Sequence, residues 1–333
     1  MAEYTSWKGK NVVITGATGF VGSWLTKSLL EKGAHVTIIV RDVHPKGFLD
    51  SIKNEYQKLN GIVFGDLTCR STVERTINDN EIDTCFHLAA QAIVNVALTS
   101  PISTFESNII GTWNILEACR TSKTIKKVVV ASTDKVYGEP QSVPIKEDHP
   151  LLAKYPYDVS KASIDMLTMS YHQTYGLPIG LTRCSNIYGG NDLNFSRIIP
   201  DTIRSVLLNK NPKIRSDGTP VRDYMHVSDV VNAYLRLAGH MDRTDVVGKA
   251  FNFGTGKPSS VLNLVNKIIE ISEKSHLKPI VLGKESKLIN EQYLLSDRAR
   301  TLLNWKATKS LEDGLKETID WYSENESLWK HLV

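Results

Sequence analysis

The chain has 333 residues, 41% of them hydrophobic and 23% charged, with 21 glycines and 12 prolines. That length and balance exclude a disordered, collagenous or low-complexity chain and supply enough apolar mass for a large buried core. Forty Lys and Arg against 36 Asp and Glu give a net charge of +4, too mild an excess to point to nucleic acid or a membrane surface.

Residues 11 to 16, NVVITG, are a short apolar run that ends in glycine. ATGFVGSWLTKSLLEKG follows with apolar positions recurring at a helical period, then AHVTIIVRD forms a second apolar run. This strand–helix–strand opening predicts a parallel sheet. GIVFGD (61–66) reads as a strand, STVERTINDN as a helix and DTCFHLAA (83–90) as a strand. NIIGTWNILEACRTS reads as a long helix, and KKVVVAST (126–133) as a Val-rich strand. After a Pro-rich loop, residues 160–176 read as a helix and PIGLTRCSNIYG as a strand with its exit. Six or seven parallel strands are thus expected within about the first 190 residues.

Beyond residue 190 the texture changes. Helical patterns at RIIPDTIRSVLLNK, HVSDVVNAYLRLAGH and SSVLNLVNKIIEISEKS alternate with the polar turn RSDGTPVRD and the short strand-turn FNFGTG. Ser259 or Ser260 is the expected cap of the third helix, and the amphipathic tail LEDGLKETIDWYSE is expected to pack as a terminal helix. The predicted fold is α/β: a Rossmann-type doubly wound parallel sheet (1–190) with a smaller C-terminal α/β substrate lobe (191–333). Segments such as 225–255 are allowed to return to the main sheet. Cys69, Cys85, Cys119 and Cys184 form no C-x-x-C pair and read as free thiols in a reducing compartment, not a metal site. No run approaches about 18 apolar residues, and the N-terminus lacks a signal-peptide core. The expectation is a soluble, cytoplasmic chain.

The sharpest local motif is T-G-A-T-G-F-V-G, residues 15 to 22. Gly16, Gly19 and Gly22 sit between a strand and a helix. That spacing lets the backbone approach a pyrophosphate, aims helix N–H groups at it and allows the helix to pack on the sheet. The second strand ends in Arg41-Asp42. The acid suits the ribose hydroxyls of NAD and the arginine suits the 2′-phosphate of NADP. Asp66, closing the third strand, can reach the adenine edge or cap the next turn.

Tyr157 and Lys161 are spaced Y-x-x-x-K at the start of a helix, which puts them on one face. A nearby cation favours the phenolate and makes tyrosine a usable acid/base for an alcohol–ketone step. A-S-T-D-K-V-Y-G (131–138) follows the Val-rich strand, at the strand end where ligands sit in this architecture. Thr133 can donate to the reacting oxygen, while Asp134 and Lys135 add an acid and an amine.

With these residues in view the chain resembles the extended short-chain dehydrogenase/reductases, in particular the nucleotide-sugar epimerases and dehydratases. The carrying motifs are Thr15 to Gly22, His87-Leu88-Ala89-Ala90, Asn108 to Asn114 (NIIGTWN), Thr133, and Tyr157 with Lys161. The resemblance runs from about residue 9 to 315. It implies NAD held by Gly16, Thr18, Gly19, Phe20, Val21, Gly22, Arg41, Asp42, Asp66 and Leu67. Leu88, Ala89, Ala90, Asn108, Tyr157 and Lys161 complete that set, with NADP left open by Arg41. It also implies a nucleoside-diphosphate sugar as substrate, met by Gln91, Thr133, Asn186, Arg197, Ile199, Pro200 and Arg222. Asn186 comes from the R-x-x-N-x-Y-G segment with Arg183, Tyr188 and Gly189, and Arg222 from G-x-x-x-R-D-Y-x-x-V. A homodimer through helices 102–122 and 160–176 is a further expectation.

Within the family, Thr133-Asp134-Lys135 is similar to the CDP-glucose 4,6-dehydratase branch, as is the opening W-x-G-K with G-S-W-L. In that reading Asp134 protonates the departing C6 hydroxyl and Lys135 takes the C5 proton. Burial or the charge of Lys161 would have to keep the amine neutral. The alternatives are a 4-epimerase using Tyr157, Thr133 and Lys161 alone, or a keto-sugar reductase.

Overall fold

The computed structural model describes residues 6–42, 57–283 and 289–332. Seven strands build its main sheet: β1 (Asn11–Thr15), β2 (His35–Val40), β3 (Gly61–Phe64), β4 (Thr84–His87), β5 (Lys127–Thr133), β6 (Ile179–Cys184) and β7 (Ala250–Phe253). The order is β7-β6-β5-β4-β1-β2-β3, every neighbour parallel. The chain winds one way from β1 to β3, then returns to the other side of β1 for β4 onward. The reversal leaves a crevice outside the carboxyl ends of β1 and β4.

The unbroken Val/Ile runs follow from burial on both faces. Val12 and Ile14 point to one side with Val129, where they meet Leu25 and Leu29 of α1 (Phe20–Glu31) and Val230 and Leu237 of α6 (Val227–Gly239). Val13, Val128 and Val130 point to the other. There they meet Val73 of α2 (Arg70–Asp79), Ile115 of α3 (Gly111–Thr121) and Ile164 of α4 (Pro156–Tyr175). A separate core joins Ile199 and Ile203 of α5 (Ile198–Leu207), Leu264 and Ile268 of α7 (Val261–Ile271), and Leu315 and Ile319 of α8 (Leu311–Glu324). That core is the smaller lobe, and the tail helix packs into it. Ser260 caps α7, accepting from the Asn263 amide.

Some expected elements shift. Six of the sheet strands lie in the first 190 residues, within the six or seven expected, and the seventh, Ala250–Phe253, pairs with β6 from the 225–255 stretch that the sequence allows to return to the main sheet. The 83–90 strand stops at His87, because Leu88 and Ala89 turn to donate their amides to the Thr15 hydroxyl. The helix expected over NIIGTWN begins earlier. It runs Pro101–Phe105, loosens to a π turn at Glu106–Ile110 and continues as α3. Helix α4 starts at Pro156, with proline at its first turn, where its missing N–H costs nothing. Among the described residues no helix is long and apolar enough to cross a membrane.

Candidate active site

The crevice is a cavity of about 850 Å³. One end is the glycine turn. Gly16 has φ +73°, and a Cβ there would lie 2.7 Å from the Ala89 nitrogen; a Cβ on Gly22 would lie 2.0 Å from the Gly16 oxygen. Only glycine permits this packing of α1 against β1 and β4. Helix α1 has no side-chain cap and no acidic residue in its first turn, so its N-terminus is left to an anion. Thr18, Phe20, Val21, Leu67, Leu88, Ala89 and Ala90 all line the same space. Beneath the turn, buried His87 bridges Thr15 and Thr112 at 2.8 Å each, and burial pushes its pKa down to about 3.

Arg41 and Asp42 line the cavity mouth and pair with each other at 2.6 Å. Of the two readings for Asp66, the structure shows the turn cap. Asp66 lines the cavity and caps the turn, accepting from the Thr68 amide and hydroxyl at 2.8 Å. Gln91 lines the cavity while its side-chain oxygen accepts from the Ile93 amide.

Asn108 sits one layer behind these residues. It is fully buried in the π turn and is absent from the cavity wall. Its amide accepts from the Gln91 N–H at 2.6 Å and donates to Ser160 Oγ at 2.9 Å. It ties the 88–92 loop to α4, next to the tyrosine–lysine pair.

That pair and the turn after β5 face the same cavity: Thr133, Asp134, Lys135, Tyr157 and Lys161 all line it. Lys161 donates to the Ala131 carbonyl at 2.9 Å, and burial lowers its pKa to about 8. Tyr157 corrects the electrostatic expectation. Burial pushes its phenol up to about 12; Arg197 and a hydrogen bond with Thr133 pull it down, while Asp134 adds to the rise. Arg197 is a cation that counters burial at this phenol.

Asp134 and Lys135 lie in a 3₁₀ turn (Asp134–Tyr137) whose N-terminus is capped by Thr133, accepting from the Lys135 amide. Asp134 is 2% exposed, so this is no solvated ion pair. Its Oδ1 accepts from the Thr133 hydroxyl at 3.1 Å and lies 3.7 Å from Lys135 Nζ, while Oδ2 is buried with no partner. Burial lowers the Lys135 pKa, Asp134 opposes it, and the charge of Arg222 adds to the lowering. Asp158, unremarked in the sequence, lies near enough to Asp134 and Lys135 to feel both. Burial raises its pKa to about 6.

From the smaller lobe, Asn186, Arg197, Ile199, Pro200 and Arg222 close the other end of the cavity. Arg197 is held by Asp192 at 2.9 Å, and Arg222 by the carbonyls of Val221 and Ile289 at 2.8 and 2.7 Å. Arg183 of the R-x-x-N segment lies behind the wall, bonded to Asp165 at 2.7 Å and Tyr137 at 2.8 Å. Sequence reasoning missed Gln292. It is fully buried, accepts from Lys135 Nζ, and donates to the Asp134 carbonyl at 3.1 Å. A neutral amide 157 residues away from the lysine gives no motif to find it by.

The chain is 32% identical over 332 residues to a trifunctional UDP-glucose 4,6-dehydratase/UDP-4-keto-6-deoxy-D-glucose 3,5-epimerase/UDP-4-keto-L-rhamnose-reductase of Arabidopsis thaliana, covering 98% of this chain and 49% of that protein. It therefore spans about half the length of that relative. A dTDP-glucose 4,6-dehydratase from Bacillus anthracis, solved with NAD, superposes with a TM-score of 0.85 at 27% identity, over 98% of this chain and 100% of that one. A UDP-glucose 4-epimerase from Thermotoga maritima, solved with UDP-glucose, superposes at 0.84 with 28% identity, over 95% and 99%. The model of the GDP-mannose 4,6 dehydratase family matches residues 13–318. With that match spanning both the glycine turn and the tyrosine–lysine pair, the chain belongs to the GDP-mannose 4,6 dehydratase family.

Proposed function

We propose that the protein is an NAD-dependent nucleotide-sugar 4,6-dehydratase, converting a nucleoside-diphosphate hexose to its 4-keto-6-deoxy form. The observation that carries this reading is Asp134: a carboxyl group with one oxygen buried and unpartnered, beside Lys135, in the cavity that Tyr157 lines. Epimerisation at C4 has no step that needs such an acid.

The glycine turn fits a dinucleotide, since the Gly16 and Gly22 contacts leave the helix end bare for a pyrophosphate. Gly16, Thr18, Gly19, Phe20, Val21 and Gly22 would hold it, with Asp66, Leu67 and the 88–90 loop on the adenosine side. Arg41 is already neutralised by Asp42, which supports NAD over NADP. NAD, when bound, supplies the hydride acceptor for oxidation at C4 and the donor for reduction at C6.

The chain's own residues handle protons and position. Tyr157 takes the C4 hydroxyl proton, the charge of Arg197 and the Thr133 hydrogen bond favouring its phenolate against the burial that raises it. Lys135 takes the C5 proton once the neighbouring carbonyl acidifies it, and returns it to C5 when C6 is reduced. Asp134 gives a proton to the C6 hydroxyl, which leaves as water. Arg197, Arg222 and Asn186 hold the substrate diphosphate, a role suited to the guanidinium fork. The Thr133-Asp134-Lys135 run favours the CDP series, and the plant relatives favour UDP.

Incubation with CDP-, UDP-, GDP- and dTDP-glucose tests the reading. The expected result is the alkaline ultraviolet absorbance of a 4-keto-6-deoxy sugar from one series, with deuterium moved from C4 to C6. Asp134→Asn is expected to slow water loss about 10²- to 10⁴-fold and to spare oxidation at C4. A C4-inverted sugar that keeps its deuterium would mean 4-epimerisation, the second reading, which the Thermotoga maritima neighbour favours.

A further inference from the structure

Gln292 lies on the short strand Glu291–Gln292, which runs parallel to Val221–Arg222 with Gln292 opposite Arg222. Two residues on, Leu294 bridges Ile145 and packs with Val136 and Tyr137 of the catalytic turn. The backbone is pinned there by bonds from the Ile145 amide to Tyr293 and from the Leu295 amide to Ile145, at 2.9 and 2.8 Å. On the other side, Arg222 reaches the carbonyls of Ile289 and Asn290 at 2.7 and 3.3 Å. One strip of chain thus holds a diphosphate-side arginine at one end and the turn bearing Asp134 and Lys135 at the other.

A fully buried amide is costly unless both of its ends are satisfied. Gln292 satisfies both on that turn: its oxygen accepts from Lys135 Nζ and its nitrogen donates to the Asp134 carbonyl. A carboxylate in this place would lock the lysine as an ammonium; an amide oxygen holds the amine in place without adding charge. The charged groups facing the amine are Asp134 on its own turn, Asp158 on α4 and Arg222 on the adjoining strand.

We propose that Gln292 is the positioning residue for Lys135, fixing its amine beside Asp134 through a neutral acceptor so that it can accept and release a proton. This rests on the reading of Lys135 as the proton carrier.

Gln292→Glu, Gln292→Met and Lys135→Met in the full chain test it. The readouts are the pH profile of kcat/KM, with whichever of the four nucleoside-diphosphate glucoses turns over, and the titration of the Lys135 amine by ¹⁵N-lysine NMR without substrate. Lys135→Met provides the assignment. Gln292→Glu places a carboxylate on the amine. The acidic limb of the profile and the amine midpoint should both move to higher pH by about one unit or more. Gln292→Met removes the acceptor and keeps the bulk. It should cut kcat about tenfold or more with KM near wild type, and leave the limb at or below its original pH. An unmoved limb and midpoint in Gln292→Glu overturn the proposal. If that variant does not fold, wild-type kcat and profile in Gln292→Met overturn it equally. Full turnover in Lys135→Met would instead remove the reading of Lys135 itself. A slow Lys135→Met beside a normal Gln292→Glu would remove only the role of Gln292.

Discussion

Tyr157 shows what a motif carries and what it omits. The i, i+4 spacing with Lys161 was legible, and both side chains line one cavity. The electrostatics were not legible, because desolvation depends on what closes over the phenol. Here burial outweighs the cations and raises the phenol to about 12. His87 is the same lesson in the H-x-A-A motif. Held neutral between two threonines, it has a folded pKa near 3 against an ordinary value of 6.5. Between those values the unfolded chain binds the extra proton. The stability His87 contributes is therefore complete above about pH 6.5 and is lost as pH falls toward 3, at roughly 1.4 kcal/mol per pH unit. Urea melts between pH 7.5 and 5 should show that slope, and His87→Asn should flatten it while lowering stability at pH 7.5. An equal slope in the variant would mean that other groups set the acid limit.

At the level of elements, the strand–turn–helix at residues 11–31 is a local device: a Val/Ile strand, a glycine turn and an uncapped helix end. Such devices are visible in sequence because the constraint is local. Gly22→Ala would drive a methyl into the Gly16 carbonyl. The expected outcome is a loss of about 1–3 kcal/mol from overpacking and at least about tenfold weaker NAD binding, read by thermal melts and by fluorescence titration. Unchanged NAD affinity would count against the turn as the pyrophosphate seat. The π turn at Glu106–Ile110 was not legible as such. Its Asn108 sits in a recognisable motif, yet that amide serves the backbone of the 91 loop and Ser160. A motif identifies the residue; the helix geometry decides which way it points.

For the whole molecule, the two lobes meet over one cavity, and β7 crosses back to the main sheet after the smaller lobe has begun. On the outside, Ile102, Trp113 and Met166 are 72%, 44% and 69% exposed on the helices that flank α4 and on α4 itself. We propose that the homodimer expected from these helices covers these exposed apolar side chains. Light scattering should give a dimer mass for the chain and half that mass for the Ile102→Glu, Met166→Glu double variant. A monomeric wild type would end that proposal.

The sequence by itself determined the doubly wound sheet, the glycine turn between β1 and α1, and the spacing that puts Tyr157 and Lys161 on one helix face, because each follows from hydrophobic period or from spacing within a few residues. Cys85, Cys119 and Cys184 likewise fall in apolar runs and are buried as free thiols, while Cys69 is exposed. Only the tertiary structure decided that Arg197 comes near enough for its charge to act on Tyr157, that Asp134 is buried with an unpartnered oxygen, and that Gln292 grips Lys135. Those contacts join segments tens to more than a hundred residues apart. Their energies come from desolvation and distance, quantities that exist only once the chain has folded.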